Sequence, residues 1–259
     1  MPDVGSEFSV EHKPGDDGRP TVAFMSALFA GGWLWERQFQ ALTAQGWPVL
    51  RTVEPICGLE SRITGSIQRL GDVFMEACAD ADRLVVCANS LGGLVGLDLA
   101  ARYPDRIAGV VLSGAPGLTP DPDVGLSVDR RSGVLPSGPA FQKAMLGALF
   151  HGDPLFTQEQ IDMVASALST GPAMLSVARS LRATQGYPVE KTMDQVGCPS
   201  LYVWGAHDRM TPPEPWEEMV SGKDNGEFVG VPECGHIPMI EAPDAYDAHL
   251  LRFLERVAG

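Results

Sequence analysis

Leu84-Val-Val-Cys-Ala-Asn-Ser-Leu-Gly-Gly-Leu-Val-Gly-Leu97 is an unbroken apolar run that passes into a helix-forming stretch at a single serine. An apolar run without alternation reads as a strand buried on both faces, the kind a parallel sheet contains. Behind it, Leu91–Arg102 has helical character and stops before Tyr103-Pro104, because a residue preceding proline is pushed out of helical geometry. Ser90 stands at the junction. A turn that swings a strand into a helix around one residue leaves room only for small side chains two positions before and two after it, and Ala88 and Gly92 meet that requirement. The result is a hydroxyl held clear of the backbone at a helix N-terminus. Serine there is also an ordinary helix cap, so the junction by itself leaves both readings open.

Three more runs of the same kind, Thr21–Leu28, Ala108–Leu112 and Ser200–Trp204, are each followed by a turn signal. Helix-like stretches at Trp35–Gln45 and Ile67–Ala79 lie between the first runs, so strand and helix alternate and the class is α/β, with a mostly parallel, doubly wound sheet. Phe8-Ser-Val and the turn Gly15-Asp-Asp-Gly read as an edge hairpin feeding that sheet. The alternation stops near Gly117. From there to about Pro188 come loop punctuation and three helical segments: Phe141–Phe150, Gln158–Leu168 behind a Thr157/Gln160 capping box, and Ala173–Ala183 behind Gly171-Pro172. Strand and helix signals resume at Cys198 and run to a terminal helix, Asp244–Val257. Residues 1–116 and 189–259 are therefore expected to form one core, with 117–188 inserted as a helical lid.

The chain's 259 residues, 44% of them hydrophobic, suffice for one large single-core domain. Thirty-three acidic against 19 basic side chains give a net charge of −14 at pH 7. That field repels phosphate backbones and anionic headgroups, so neither nucleic acid nor a membrane is the expected partner. No apolar run approaches the roughly 20 residues of a membrane span, and Met1-Pro-Asp-Val-Gly-Ser-Glu lacks the pattern of a signal peptide; the expected location is the cytoplasm. Cys57, Cys78, Cys87, Cys198 and Cys234 are odd in number and without a Cys-x-x-Cys pair, which predicts free thiols rather than disulfides or a zinc site.

A serine hydroxyl is a weak nucleophile unless a base removes its proton and a carboxylate orients that base. Of five histidines, His12 falls in the polar N-terminal segment, His151 in the insertion and His249 on the terminal helix. His236 differs, lying in the loop Val231-Pro-Glu-Cys-Gly-His-Ile-Pro between a strand-like run and the last helix. Asp208, in Val203-Trp-Gly-Ala-His-Asp-Arg-Met-Thr-Pro, follows the end of a buried strand. Ser90, Asp208 and His236 thus all fall at strand C-terminal ends, where open parallel sheets place their sites. His207, beside Asp208, is given no role.

Together these motifs make the chain resemble the α/β-hydrolase family over nearly its whole length. The order Ser90, Asp208, His236 is that family's order, Asn89-Ser90-Leu91-Gly92-Gly93 is similar to its nucleophile elbow, and Cys234-Gly-His-Ile-Pro-Met-Ile-Glu-Ala-Pro to its histidine loop. The insertion resembles the lid of the branch that includes meta-cleavage-product hydrolases and small serine esterases. The resemblance implies a Ser-His-Asp triad and an oxyanion hole formed by the backbone N–H groups of Leu28 and Leu91. It departs in one place: the family's usual His-Gly is here Ser26-Ala27. Trp35 falls where members often carry tryptophan. Ser26 and Trp35, with Met145 and Phe150 of the lid, are the expected substrate contacts, although Ser26 serves equally well as a structural cap. The lid's large apolar side chains, Phe141, Leu146, Ile161, Met163, Val164, Leu168, Met174, Leu175, Val177 and Leu181 among them, are expected chiefly to dock it on the core.

The implied function is hydrolysis of a small, largely apolar ester, lactone or related acyl compound through an acyl-enzyme, with no metal or organic cofactor. Three alternatives remain at this point. An acyltransferase or thioesterase of a biosynthetic pathway would act on an acyl group that could be carrier-bound. A C–C bond hydrolase would act on a vinylogous diketone. A ligand-binding or signalling protein would keep the triad with low turnover.

Overall fold

A computed structural model of the chain describes residues 5–118 and 145–259. Seven strands, Val10–Lys13 (β1), Thr21–Met25 (β2), Val49–Thr52 (β3), Leu84–Asn89 (β4), Ile107–Ser113 (β5), Ser200–Gly205 (β6) and Gly226–Val231 (β7), form one sheet in the order β1-β3-β2-β4-β5-β6-β7. All neighbours are parallel except β1, which runs antiparallel to β3. The four strands expected from apolar runs are buried along their whole length. Their side chains alternate between two packed layers: Ala23, Met25, Val86 and Ala88 face one, Val22, Phe24, Val85 and Cys87 the other.

Helices cover both faces, as buried parallel strands require. On one side lie Glu36–Ala44 (α1), entered through a 3-10 turn at Gly32–Trp35, and the terminal helix Pro243–Ala258, which contributes Tyr246, Leu250, Phe253 and Leu254. On the other lie Ile67–Ala77 (α3), preceded by the short Ser61–Thr64 (α2), then Leu91–Arg102 (α4) and a helix at Glu214–Ser221. From β2 the chain steps outward to β3, then returns past β2 to β4. The order therefore reverses between β2 and β4, which pair Met25 with Ala88, and a crevice opens beyond their C-terminal ends.

One expectation is corrected at the N-terminus. β1 is an edge strand, but it does not pair as a hairpin with β2; it lies across β3, with Val10 opposite Thr52 and Lys13 opposite Val49. β3 went unread in the sequence because it is four residues long and carries Arg51.

Between β5 and β6 the described residues are helical at 145–149, at Gln158–Ala167 (α5), at Gly171–Gln185 (α6) and at Val189–Met193 (α7). The Thr157/Gln160 capping box is formed, and Pro172 sits in the first turn of α6. α6 docks on α2 through its buried Ala173, Ser176, Val177 and Ser180, with Ser176 Oγ donating to Thr64 Oγ1 at 2.9 Å. Met163 (41% exposed) and Leu175 (50%) point to solvent and do not contribute to this docking. Phe141 falls outside the described residues. Among those residues no single helix is long and apolar enough to cross a membrane.

Candidate active site

The elbow is formed as its small residues dictate. Ser90 joins β4 to α4 at φ +56° and ψ −128°, a conformation that costs a non-glycine residue about 1–3 kcal/mol and persists only where the surroundings impose it. Its backbone N–H donates to Ser113 O at 2.9 Å, fixing the turn to the end of β5. A Cβ at Gly92 would lie 2.7 Å from Ser26 O, so only glycine lets α4 approach the end of β2 this closely. The side chain of Ser90 makes no capping bond to the helix, and the residue is half-buried. The ordinary alternative, a serine whose hydroxyl caps its own helix, is therefore not what this residue does.

His236 and Asp208 meet directly. Imidazole Nδ1 lies 2.9 Å from Asp208 Oδ2, and both residues are buried, at 2% and 4% exposure. The other carboxylate oxygen accepts the N–H groups of Met210 and Thr211, at 2.8 and 2.9 Å. With Oδ1 so occupied, Oδ2 faces the histidine, and a carboxylate acceptor there places the Nδ1 proton toward aspartate and leaves Nε2 free to accept.

Two residues that sequence reasoning missed complete this arrangement. Asn89, buried before the serine, donates through Nδ2 to Ser113 O (3.2 Å) and His236 O (3.0 Å), tying the elbow to the histidine loop. Thr211 Oγ1 donates to Asp208 Oδ2 at 2.8 Å and stands 3.2 Å from His236 Nδ1. A hydrogen bond to a charged group contributes about 1.5–3 kcal/mol. Thr211→Val, which keeps the shape and removes the hydroxyl, is expected to lower kcat about tenfold with little change in KM. Thr211→Ser should restore most of it, and a valine variant with wild-type kcat would remove Thr211 from the site's machinery.

After β2 the segment Ser26–Ala30 is anchored by the bonds Ala27 N–H to Ala30 O (2.9 Å), Ile56 N–H to Ala27 O (3.0 Å) and Cys57 N–H to Leu28 O (3.0 Å). Among the described residues the N–H groups of Leu28 and Leu91 find no protein acceptor. Ala27, where the resemblance led one to expect glycine, has no positive φ, so its methyl group imposes no backbone strain.

Two expected substrate contacts turn inward. Ser26 is fully buried and hydrogen-bonded to Thr52: its N–H donates to Thr52 Oγ1 at 2.8 Å and the two hydroxyls are 2.7 Å apart, so it locks β2 to β3. Trp35 is fully buried too, its indole N–H donating to Met25 O at 2.9 Å while its ring packs on Phe24 and Tyr246. Both are core residues. Met145 and Phe150 are buried, and Phe150 stands edge-on to Phe156, which stands edge-on to Trp33 beside the Ser26–Ala30 loop.

All five thiols are free. Burial, helped by the nearby carboxylates of Glu241 and Asp208, pushes Cys234 up to about 12; burial raises Cys57 and Cys78 to about 12 as well. Such thiols carry little thiolate at neutral pH, which leaves them poor nucleophiles. Among the described residues no three or more His, Cys, Asp or Glu side chains are grouped as ligands for a metal ion.

Residues 20–243 match the family described as the alpha/beta hydrolase fold. The chain belongs to that family. A 2-hydroxy-6-oxononadienedioate/2-hydroxy-6-oxononatrienedioate hydrolase of Paraburkholderia phymatum is 26% identical to this α/β hydrolase over 267 residues, covering 96% of this chain and 92% of its own. A 2-hydroxy-6-oxo-6-phenylhexa-2,4-dienoate hydrolase of Burkholderia cepacia is 25% identical, over 87% of this chain and 83% of its own. Among solved structures, a thermophilic esterase from Thermogutta terrifontis superposes with a TM-score of 0.75 at 20% identity, over 97% of this α/β hydrolase and 94% of the esterase.

Proposed function

We propose that this α/β hydrolase cleaves a small, largely apolar ester, lactone or related acyl compound through an acyl-enzyme on Ser90. The observation that carries the reading is the strained backbone of Ser90 at the crevice, with no capping bond to explain it. Ser90 Oγ forms the bond to the acyl carbon while its proton passes to His236 Nε2. The negative carbonyl oxygen is stabilised by the N–H groups of Leu28 and Leu91, and collapse breaks the acyl–oxygen bond as His236 returns the proton to the leaving oxygen. Water repeats the sequence on the acyl-enzyme and frees the acid. Asp208 stays ionised throughout and holds the imidazolium.

The named activities of the two relatives favour a second reading, hydrolysis of a C–C bond in a hydroxy-oxo-dienoate, with the same three residues. Intact mass after treatment with a fluorophosphonate tests the shared part: one adduct on the wild type and none on Ser90→Ala is expected. A folded wild type that stays unmodified contradicts both readings. Parallel assays with aryl esters, lactones and a hydroxy-oxo-dienoate then separate them by the bond that is broken.

A further inference from the structure

We infer that Glu241 is a positioning residue: its carboxylate clamps residues 149–152 of the β5–β6 insertion onto the histidine loop and thereby holds His236 in place. The inference rests on the proposed role of His236. Glu241 ends the short helix Pro238–Glu241, just beyond that loop. One of its oxygens accepts the backbone N–H groups of His151 and Gly152, at 2.8 and 3.0 Å; the other accepts the N–H of Gly235, at 2.6 Å. Three peptide donors from two distant segments thus converge on a single carboxylate, each bond strengthened by its charge. The segments also meet directly, since the N–H of His236 itself donates to Leu149 O at 2.8 Å. Their approach is so close that a Cβ at Gly235 would lie 2.6 Å from Leu149 O and 2.8 Å from His151 N.

Residues 234–236 belong to no helix or strand, and their backbone is held by these tethers together with Asn89 on His236 O and the N–H of His207 on Cys234 O. The insertion reaches the Asp208 side as well: the His151 ring stacks on that of His207 at 4.0 Å, 13° from parallel. Seating of the insertion and placement of His236 are therefore one event, with Glu241 as the shared acceptor. A glutamine cannot substitute. It keeps one oxygen, but its amide N–H group would confront whichever donor that oxygen does not take.

The test is the rate at which a fluorophosphonate modifies Ser90 in the wild type, Glu241→Gln and Glu241→Asp, with kcat and KM for the best ester found. The expected result is a rate lowered about tenfold or more in both variants, falling in kcat rather than KM, with folding confirmed by thermal melting. Aspartate keeps the charge but lacks the reach, so its failure separates positioning from simple electrostatics. Wild-type rates in the glutamine variant overturn this inference alone, whereas an unmodified wild type overturns the role of His236 and this inference with it. Amide hydrogen exchange of the wild type needs no variant to fold: the amides of His151, Gly152, Gly235 and His236 are expected to open together, and independent opening contradicts the clamp.

Discussion

Asp208→Asn is expected to lower kcat by about 10⁴-fold while leaving the fold intact, because it reverses the proton on the histidine without changing any shape. The carboxylate accepts four hydrogen bonds: two backbone N–H groups on Oδ1, and Thr211 Oγ1 and His236 Nδ1 on Oδ2. In the asparagine variant the two peptide donors dictate the orientation of the amide, since only its oxygen can accept them. The NH₂ group then occupies the Oδ2 position and donates to His236 Nδ1. The imidazole is forced to carry its proton on Nε2, the nitrogen that must take the proton from Ser90. A uniform loss of binding would raise KM, whereas a wrong tautomer appears in kcat and in the rate of fluorophosphonate labelling. Activity within tenfold of the wild type, in a variant of unchanged thermal stability, would mean that Asp208 is not the partner through which His236 works.

How much of this was legible in the sequence depends on how local each cause is. The elbow could be read because its requirement, small residues at 88 and 92 between an apolar run and a helix, lies within a few neighbours. The helix Leu91–Arg102 matched to the residue for the same reason. β3 was hidden because an arginine in a four-residue strand makes sense only once its partners are known. Arg51 lies over the Phe39 ring at 4.4 Å and pairs with Glu11 and Glu36, both from other elements. Ser26 could not be resolved between substrate contact and structural role for a related reason: position after a strand put it near the crevice, while Thr52, 26 residues on, took its hydroxyl. Asn89 reaches His236 across 147 residues and Glu241 reaches His151 across 90, separations that no spacing rule reports. Glu241 nevertheless stood inside the histidine-loop motif, and a carboxylate a few residues beyond Gly235-His236 was the available signal.

The largest effect on stability is expected from Gly205→Ala, at the last residue of β6. A Cβ there would lie 1.9 Å from Gly235 O, 2.4 Å from Cys234 O and 2.7 Å from Cys234 C. All three are backbone atoms, so no rotamer change can relieve the clash; either the strand end or the histidine loop must move. The strand end is held by its pairing of Gly205 with Val231 and by the bonds of Ala206 N–H to Val231 O and His207 N–H to Cys234 O, both 2.9 Å. The loop is held by Leu149, Glu241 and Asn89. Overpacking usually costs about 1–3 kcal/mol, and a clash confined to backbone belongs at or above the top of that range. At roughly 2–4 °C per kcal/mol for a domain of this size, Tm should fall by about 10 °C. Gly230→Ala on the adjacent strand is the control: nothing lies within 4 Å of its added Cβ, and a change within about 0.5 kcal/mol is expected. Since the loop that must yield carries His236, the surviving folded protein should also lose about 10²-fold in kcat, the cost of a displacement near 1 Å. Thermal melting with kcat measured well below both transitions separates the two effects. A Gly205→Ala protein that melts and turns over like the wild type would mean that the loop accommodates the methyl group freely, and that the close approach of β6 to residues 234–235 does not set the position of His236.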